Sequence, residues 1–233
     1  RGILVGLATG RDPRFILQYM ASLGLDMAVA YNGQYVFTRD EVVFSQPIEK
    51  EDIDKMIAYA EKFQRDLSFG TALGVVGSGI MSMGTGNFAY RFSRMVPEVC
   101  AGFVNFIFNH IIRIVRPQNK GSFNHLITQP IYQMMLLTME KEAQRLAEHF
   151  PQLTFTRSSP YATDIICKGN SKLIGIKRLG DFYHFSTDEV MVFGDSNNDI
   201  EMLGEVRYSV AMKNGTKQAK QVASYITDTN NKD

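Results

Sequence analysis

The sequence predicts an α/β protein: a doubly wound, mostly parallel core sheet with an inserted α+β unit. Three observations carry this. The chain opens as strand, helix, strand. It closes as an alternation of helices with short apolar strands. The long middle follows another pattern, with hairpins and an amphipathic helix. At 233 residues the chain suits one or two domains and is ample for a sizeable core.

The opening strand is ILVGLATG (3–10), an apolar run that stops at Thr-Gly. The next segment, RDPRFILQYMASLGL, reads as a helix. Asp12 can cap it, Pro13 suits its first turn, and Phe15, Ile16, Tyr19, Met20 and Leu23 recur on one face. MAVAYNG (27–33) is a second strand ending in turn residues. Residues 34–48 read as a hairpin, and 50–64 as an amphipathic helix with Ile53, Met56, Ile57, Ala60 and Phe63 on one side. From 70 to 113 the pattern blurs, with weak helical character near 94–110. A strand or two falls in 123–139, a helix runs from Met139 to Phe150, and two short strands lie in 154–168. The α/β pattern then returns. Ser171 caps a helix to about Leu179, EVMVFGD is a strand, NDIEMLGEV a short helix, YSVAM a strand and GTKQAKQVASY a helix. The expected organisation is therefore a first core segment at 1–34, an α+β cap at 35–166 and a second core segment at 167–233.

Composition excludes several classes. Hydrophobic content is 45%, charged content 21% and formal net charge +1, so no basic excess points to nucleic acid. No signal peptide and no apolar run of membrane-spanning length is evident. Two cysteines, Cys100 and Cys167, are too few for a disulfide framework, and a cytoplasmic setting is expected. Residue 1 is Arg and the first strand begins almost at once, so the sequence reads as a fragment or a trimmed chain.

The richest chemistry lies in FGDSNNDIEML. Asp195 directly follows a strand, at the C-terminal end where open parallel sheets place their ligands. Asp199 follows four residues later at a helix start, where a carboxylate also suits the helix dipole. Two carboxylates on such a turn can converge on one hard cation, and oxygen ligands with water suit Mg²⁺. Capping accounts for one or two of these polar residues, but not for four after an apolar strand. In ATGR (8–11), Thr9 offers a hydroxyl, Gly10 allows close backbone approach, and amides at the next helix start can hold a phosphate. Small residues also end many strands without such a role. KGNSK (168–172) places two lysines beside a helix start, a site a cation disfavours unless an anion offsets it; surface lysine is the other reading. YNG (31–33) is turn chemistry. The histidines His110, His125, His149 and His184 have no metal spacing. Gly77 and Gly79 begin a G-x-G-x-x-G whose third position is Ser82, and this partial match reads as a loop.

Taken together, these segments resemble the haloacid dehalogenase (HAD) superfamily, specifically its Cof-type phosphatases with a Rossmann-like core and a large α+β cap. The resemblance covers most of the core; the cap matches in placement and size. LATGR resembles the hydroxyl-bearing motif, which implies that Thr9 contacts phosphate, with Gly10 and Arg11 beside it. KGNSK resembles the lysine motif, implying a phosphate-binding Lys172. FGDSNNDIEML resembles the acidic motif, implying Asp195 as a metal ligand, Asp199 as a second acid on the metal or its waters, and Asn198 as a phosphate or lysine partner. AYNGQYV resembles the entry to the cap and places Asn32 near the substrate.

One departure is severe. The family's Asp-x-Asp, which supplies the nucleophile and the general acid/base, should precede RGILVGLATGR. Asp52-Ile-Asp54 does not replace it, because those residues fall in a cap helix. The missing strand is central in the family, between LVGLATG and VMVFGDS. Without it those strands would stand about 10 Å apart. Unpaired buried backbone groups cost about 1–3 kcal/mol each, enough in sum to consume a domain's marginal stability. The resemblance thus implies a Mg²⁺-dependent phosphomonoester hydrolase acting on a small phosphorylated metabolite, such as a sugar phosphate or phosphorylated cofactor, through an aspartyl-phosphate. The chain as it stands is expected to be inactive. A phosphomutase of the same superfamily and a non-catalytic phosphate-metabolite binder are the alternatives. Neither nucleic acid nor membrane is an expected partner, and oligomeric state stays open.

Overall fold

A computed structural model describes residues 2–63, 65–77, 127–138, 140–159 and 162–229. Over these residues the strands are β1 (Gly6–Ala8), β2 (Met27–Ala30), β3 (Tyr35–Thr38), β4 (Val42–Ser45), β5 (Leu67–Thr71), β6 (Gly74–Gly77), β7 (Gln133–Leu137), β8 (Leu153–Ser159), β9 (Ala162–Cys167), β10 (Met191–Gly194), β11 (Tyr208–Met212) and β12 (Tyr225–Thr227). The helices are α1 (Pro13–Leu23), α2 (Lys50–Lys62), α3 (Glu140–His149), α4 (Lys172–Tyr183), α5 (Ile200–Glu205) and α6 (Lys217–Val222).

Local chemistry sets the helix ends. Asp12 accepts from the Phe15 amide (2.9 Å) at the start of α1, with Pro13 at its first position. Ser171 accepts from the Ile174 amide (3.2 Å) to start α4, which runs on past the expected Leu179 to Tyr183. Of the apolar face expected on α1, Ile16 and Met20 are buried, whereas Tyr19 and Leu23 are exposed.

The described strands form three sheets, ordered β1-β2-β3-β4, β10-β11-β12 and β6-β5-β7-β9-β8. The first two make up the core. β1 pairs parallel with β2, and β10, β11 and β12 are parallel throughout. Alternation along β2 sends Ala28 and Ala30 to α1 and Val29 to α4, so helices cover both faces, as a doubly wound fold requires. The hairpin β3–β4 pairs antiparallel onto β2. The sheet change therefore comes after Ser45, and the border expected at 34/35 falls inside the core sheet.

Among the described residues, the single core sheet expected from the sequence is divided in two. β1 and β10 are both edge strands among the described residues. They share one apolar cluster through α4, in which Leu173, Ile176 and Leu179 meet Val29 of β2 and Val192 of β10. The expected buried strand at 3–10 shortens to Gly6–Ala8, and Ile3 is 75% exposed. Met191 and Phe193 of β10 are 57% and 58% exposed, on the face opposite buried Val192. Among the described residues, no strand pairs with the outer edges of β1 and β10, although both are apolar.

The third sheet is the cap. Its register places Leu67, Phe69, Met134, Leu136 and Ile165 on one face. That face packs with Ile53, Met56 and Ile57 of α2 and Leu146 of α3 in one apolar cluster. The opposite face carries Ser68, Gln133, Met135, Asp164 and Thr156. β5, β6 and β12 have no clear strand signal in the sequence. The helix expected near 94–110, Ser82 and Gly79 lie outside the described residues.

Candidate functional site

The site begins at the C-terminal ends of β1, β2 and β10. Beyond β2 the backbone turns through Tyr31, Asn32 and Gly33, all left-handed, with φ of 48°, 51° and 101°. Such conformations are unfavourable for Tyr and Asn, and here neighbouring bonds fix them. The Asn32 amide donates to Thr9 O (3.0 Å), the Tyr31 amide to Arg11 O (3.2 Å) and the Tyr31 hydroxyl to Thr71 O of the cap (2.9 Å). The turn therefore ties the phosphate-loop candidate ATGR to both core and cap.

Thr9 lies just past β1, and its hydroxyl accepts the Arg11 amide (3.2 Å). Arg11 itself stacks over the Phe15 ring, 4.4 Å from its centroid. Gly10 is tightly surrounded. A Cβ there would stand 2.9 Å from Asn32 Nδ2 and 3.0 Å from Asp164 Oδ2, so a larger residue would have to displace those two side-chain ends.

The acidic turn follows β10. Asp199 is buried, and both of its oxygens are committed. Oδ2 accepts from the amides of Asp195 and Ser196 (2.9 Å each) and from the Ser196 hydroxyl (3.3 Å); Oδ1 accepts from Lys172 Nζ at 2.6 Å. Burial alone would raise this carboxyl. The charge and hydrogen bond of Lys172, with the two amides, outweigh it and hold the group below the ordinary Asp value. Asp199 thus acts on Lys172 and on the turn, rather than presenting a free oxygen of the kind expected of a metal carboxylate. Asp195 is different. It is partly exposed at the strand mouth, and its side chain receives no hydrogen bond from the described residues. Among the described residues there is no group of three or more acidic, His or Cys side chains that could hold a metal. Among the described residues, the local fit to Mg²⁺ is one hard oxygen donor, Asp195.

Asn198 closes the ring. Its Oδ1 accepts from the Ser196 hydroxyl (2.7 Å), and its Nδ2 donates to Asn32 Oδ1 (3.0 Å). Thr9, Gly10, Asn32, Asn198, Asp195, Asp199 and Lys172 are therefore joined in one continuous network of contacts. Lys168 is exposed and outside it. Asp52 and Asp54 lie in α2 of the cap, where Asp52 accepts from Gln152 (2.5 Å) and Asp54 pairs with Lys50 (2.9 Å).

Two residues absent from the sequence reading complete the site. Gln133 Nε2 donates to Gly10 O (3.1 Å), and Gln133 Oε1 accepts from Asn32 Nδ2 (3.0 Å). Asp164 Oδ2 accepts from the same amide (3.3 Å). Burial lifts the Asp164 carboxyl to about 6, against the opposing pull of Asn32, Lys172 and Arg157. The available signal was a charged residue inside an apolar strand, ATDIIC, since buried strands seldom carry one without a use for it.

A family model described as haloacid dehalogenase-like hydrolase matches residues 1–233. YkrA of Bacillus subtilis (strain 168), provisionally named a phosphatase, is 24% identical over 227 residues, covering 97% of this chain and 79% of that protein. YitU of the same organism, a 5-amino-6-(5-phospho-D-ribitylamino)uracil phosphatase, is 37% identical over 73 residues, 31% of this chain and 27% of that one. Among solved structures, the HAD subclass IIB sugar phosphatase BT4131 is similar with a TM-score of 0.73 at 25% identity, over 97% of this chain and 80% of that chain. No helix among the described residues is long and apolar enough to cross a membrane.

Proposed function

The chain belongs to the haloacid dehalogenase-like hydrolase family, and from that premise we propose that the whole protein is a Mg²⁺-dependent phosphomonoester hydrolase acting on a small phosphorylated metabolite. The observation that carries this reading is the unbroken contact network from Thr9 through Asn32 and Asn198 to Asp195, Asp199 and Lys172. It joins the backbone of Thr9 and of Asp195 to the side chains of Asn32, Asn198, Asp199 and Lys172. Relatives with sugar phosphatase and ribitylaminouracil phosphatase names support the substrate class.

Each residue has a task in this reading. Lys172 spends one donor on Asp199 and keeps two for phosphoryl oxygens. The Thr9 hydroxyl accepts one amide and retains its proton for a phosphoryl oxygen. Gly10 lets the backbone approach, and Arg11 lies at the entrance. Asn198 and Asn32 fix the turn that carries Asp195. Mg²⁺, held by Asp195, would neutralise charge on the phosphoryl oxygens. Asp199 acts behind it by orienting the Asp195–Ser196 turn and Lys172.

The attacking carboxylate would stand on a further strand between β1 and β10, each of which is an edge strand among the described residues. Attack on phosphorus would give an aspartyl-phosphate and release the alcohol; water would then cleave the acyl phosphate, restoring the carboxylate and releasing inorganic phosphate. The cap would exclude bulk water and select the alcohol.

The test is p-nitrophenyl phosphate turnover with Mg²⁺, comparing this chain with one extended upstream in the gene. Turnover by the extended chain alone is expected. Equal turnover by both would show that the nucleophile is misplaced here. No phosphate ester cleaved by the extended chain would remove the phosphatase reading.

A further inference from the structure

We propose that Gln34 is a positioning residue: its buried side-chain amide clasps both chain connections between core and cap, and so sets where the cap surface meets the ATGR loop. The proposal rests on the phosphatase reading for its kinetic consequence and deepens that reading.

Among the described residues, core and cap are joined by residues 46–49, between β4 and α2, and by residues 168–171, between β9 and α4. Gln34 lies on the core side, just after the left-handed turn, and is 0% exposed. Its Nε2 donates to Gln46 O in the first connection (2.9 Å) and to Tyr132 O at the entry to β7. Its Oε1 accepts from the Cys167 amide, where β9 leads into the second connection. One core side chain therefore holds three separate segments.

The place of these bonds in the cap sheet is specific. β7 and β9 pair antiparallel as far as Met134–Ile165, and in that register the corresponding rung two residues on would join Tyr132 to Cys167. The Gln34 amide stands at that rung, with its N–H on the Tyr132 carbonyl and its carbonyl on the Cys167 N–H. The core is thus spliced into the ladder of the cap sheet. The three partners need two donors and one acceptor at the end of a two-methylene stem. Glutamine supplies that set; Glu lacks the donors, Met lacks both, and Asn is one methylene short.

The clasp bears on the site through the next residue of the cap. Tyr132 precedes Gln133, which bonds to Gly10 O (3.1 Å) and to Asn32 (3.0 Å). Asn32 and Gln34 flank Gly33, so one core turn holds two successive residues of one cap strand. A further layer ties the two connections together. Asn170 Nδ2 donates to Gln46 Oε1 (2.9 Å), and Arg178 donates to Asn170 Oδ1 (2.7 Å) and to Gly33 O (2.9 Å). The apolar cluster of the cap does not involve Gln34, so losing its amide weakens docking rather than the cap itself. The groups left without partners regain water when the cap lifts, which shifts population to the undocked state. A substrate that binds the docked state then shows an apparent affinity reduced by the docked fraction, while at saturation the protein is docked again.

The experiment uses the full-length gene product with p-nitrophenyl phosphate and Mg²⁺. Gln34→Met keeps the size of the side chain without the amide, and should raise KM about tenfold or more with kcat changed less than about threefold. Gln34→Glu keeps the acceptor for Cys167 but sets an oxygen against two carbonyls, and should act in the same direction. Unchanged KM in both variants overturns the proposal, and so does a lower kcat at unchanged KM, the pattern of lost folded protein. Hydrogen exchange gives a readout independent of catalysis. In the unmodified protein the Cys167 amide should exchange at least about a hundredfold more slowly than a free peptide amide. In Gln34→Met that protection should fall about tenfold or more while the Met134 and Ile165 amides keep theirs. An unprotected Cys167 amide in the unmodified protein overturns the clasp without any variant having to fold. If no phosphate ester is cleaved, the phosphatase reading fails and the exchange measurement still decides the clasp.

Discussion

Replacing Lys172 with Met should destabilise the protein by an amount that the buried pair with Asp199 sets. The two side chains are 9% and 4% exposed and meet at 2.6 Å. Removing one member of a buried pair costs about 3–5 kcal/mol, because the survivor keeps its charge without a counter-ion. Asp199 retains two amides and the Ser196 hydroxyl, which places the expected cost near the lower bound, about 3 kcal/mol. For a chain of this size, that corresponds to a loss of about 6–12 °C in melting temperature. The assay is thermal unfolding followed by circular dichroism from pH 7 down to about pH 2. The folded Asp199 carboxyl lies below its ordinary value, so its contribution is present above about pH 4 and is lost as pH falls through the folded value. The gap between unmodified and Lys172→Met proteins should therefore narrow on acidification. Adding Asp199→Asn to Lys172→Met should recover at least about 1 kcal/mol, since the stranded charge is gone. A variant that melts within 2 °C (roughly 1 kcal/mol) of the unmodified protein at pH 7, or a gap that widens in acid, would refute the reasoning.

Three further outcomes are expected. Gly33→Ala should cost at least about 3 kcal/mol in urea unfolding, because Gly33 has φ of 101° and a Cβ there would lie 2.2 Å from the Ser171 carbonyl oxygen at the start of α4. Asp195→Asn should leave the melting temperature within about 1–2 °C, since no described residue bonds to its carboxylate, yet lower Mg²⁺-dependent turnover of the extended chain at least about a hundredfold. Asp164→Asn should stabilise the protein at pH 7.5 but not at pH 4. The Asp164 carboxyl is raised to about 6, so the fold favours its protonated form; that stability is complete below the ordinary Asp value and disappears as pH rises through about 6, by at most about 3 kcal/mol. Melting temperatures of the two proteins across that range decide it, and a difference that does not change with pH contradicts it.

What was legible in the sequence was local. Asp12-Pro13, Ser171 and the apolar runs before Thr9 and Asp195 each announce an element through their own neighbours, and the acidic turn announced its site by sheer density of oxygen. What was not legible depended on pairing at a distance. Residues 34–48 read correctly as a hairpin, but nothing in a hairpin says which sheet it will join, and it extends the core rather than the cap. β5 and β6 were obscured because Gly70, Gly74 and Gly77 interrupt the alternation that would mark them. β12 spans only three residues, too short for a period to show. Asp164 and Gln133 are 31 residues apart in sequence, and only the β7–β9 register brings them to one face. Asp199 was placed correctly in its turn, but its role depended on where Lys172 ended, which no local pattern encodes.

The same dependence explains why this region carries functional weight. Tyr31 and Asn32 adopt left-handed backbone that their side chains disfavour. Lys172 sits buried at a helix N-terminus, where a cation is electrostatically unwelcome. Asp164 is buried with fewer donors than it can use. Each position carries a local cost, and at Lys172 the pair with Asp199 offsets it. A fold selected for stability alone would scatter or remove such costs. Here they lie within one contact network around Gly10, at the ends of β1 and β10 where the core sheet is divided. Strain concentrated at one point is the mark of a site whose geometry is fixed against its own preferences, ready for a ligand that supplies the missing partners. In the proposed function, a phosphoryl group would answer the free donors of Lys172 and Thr9.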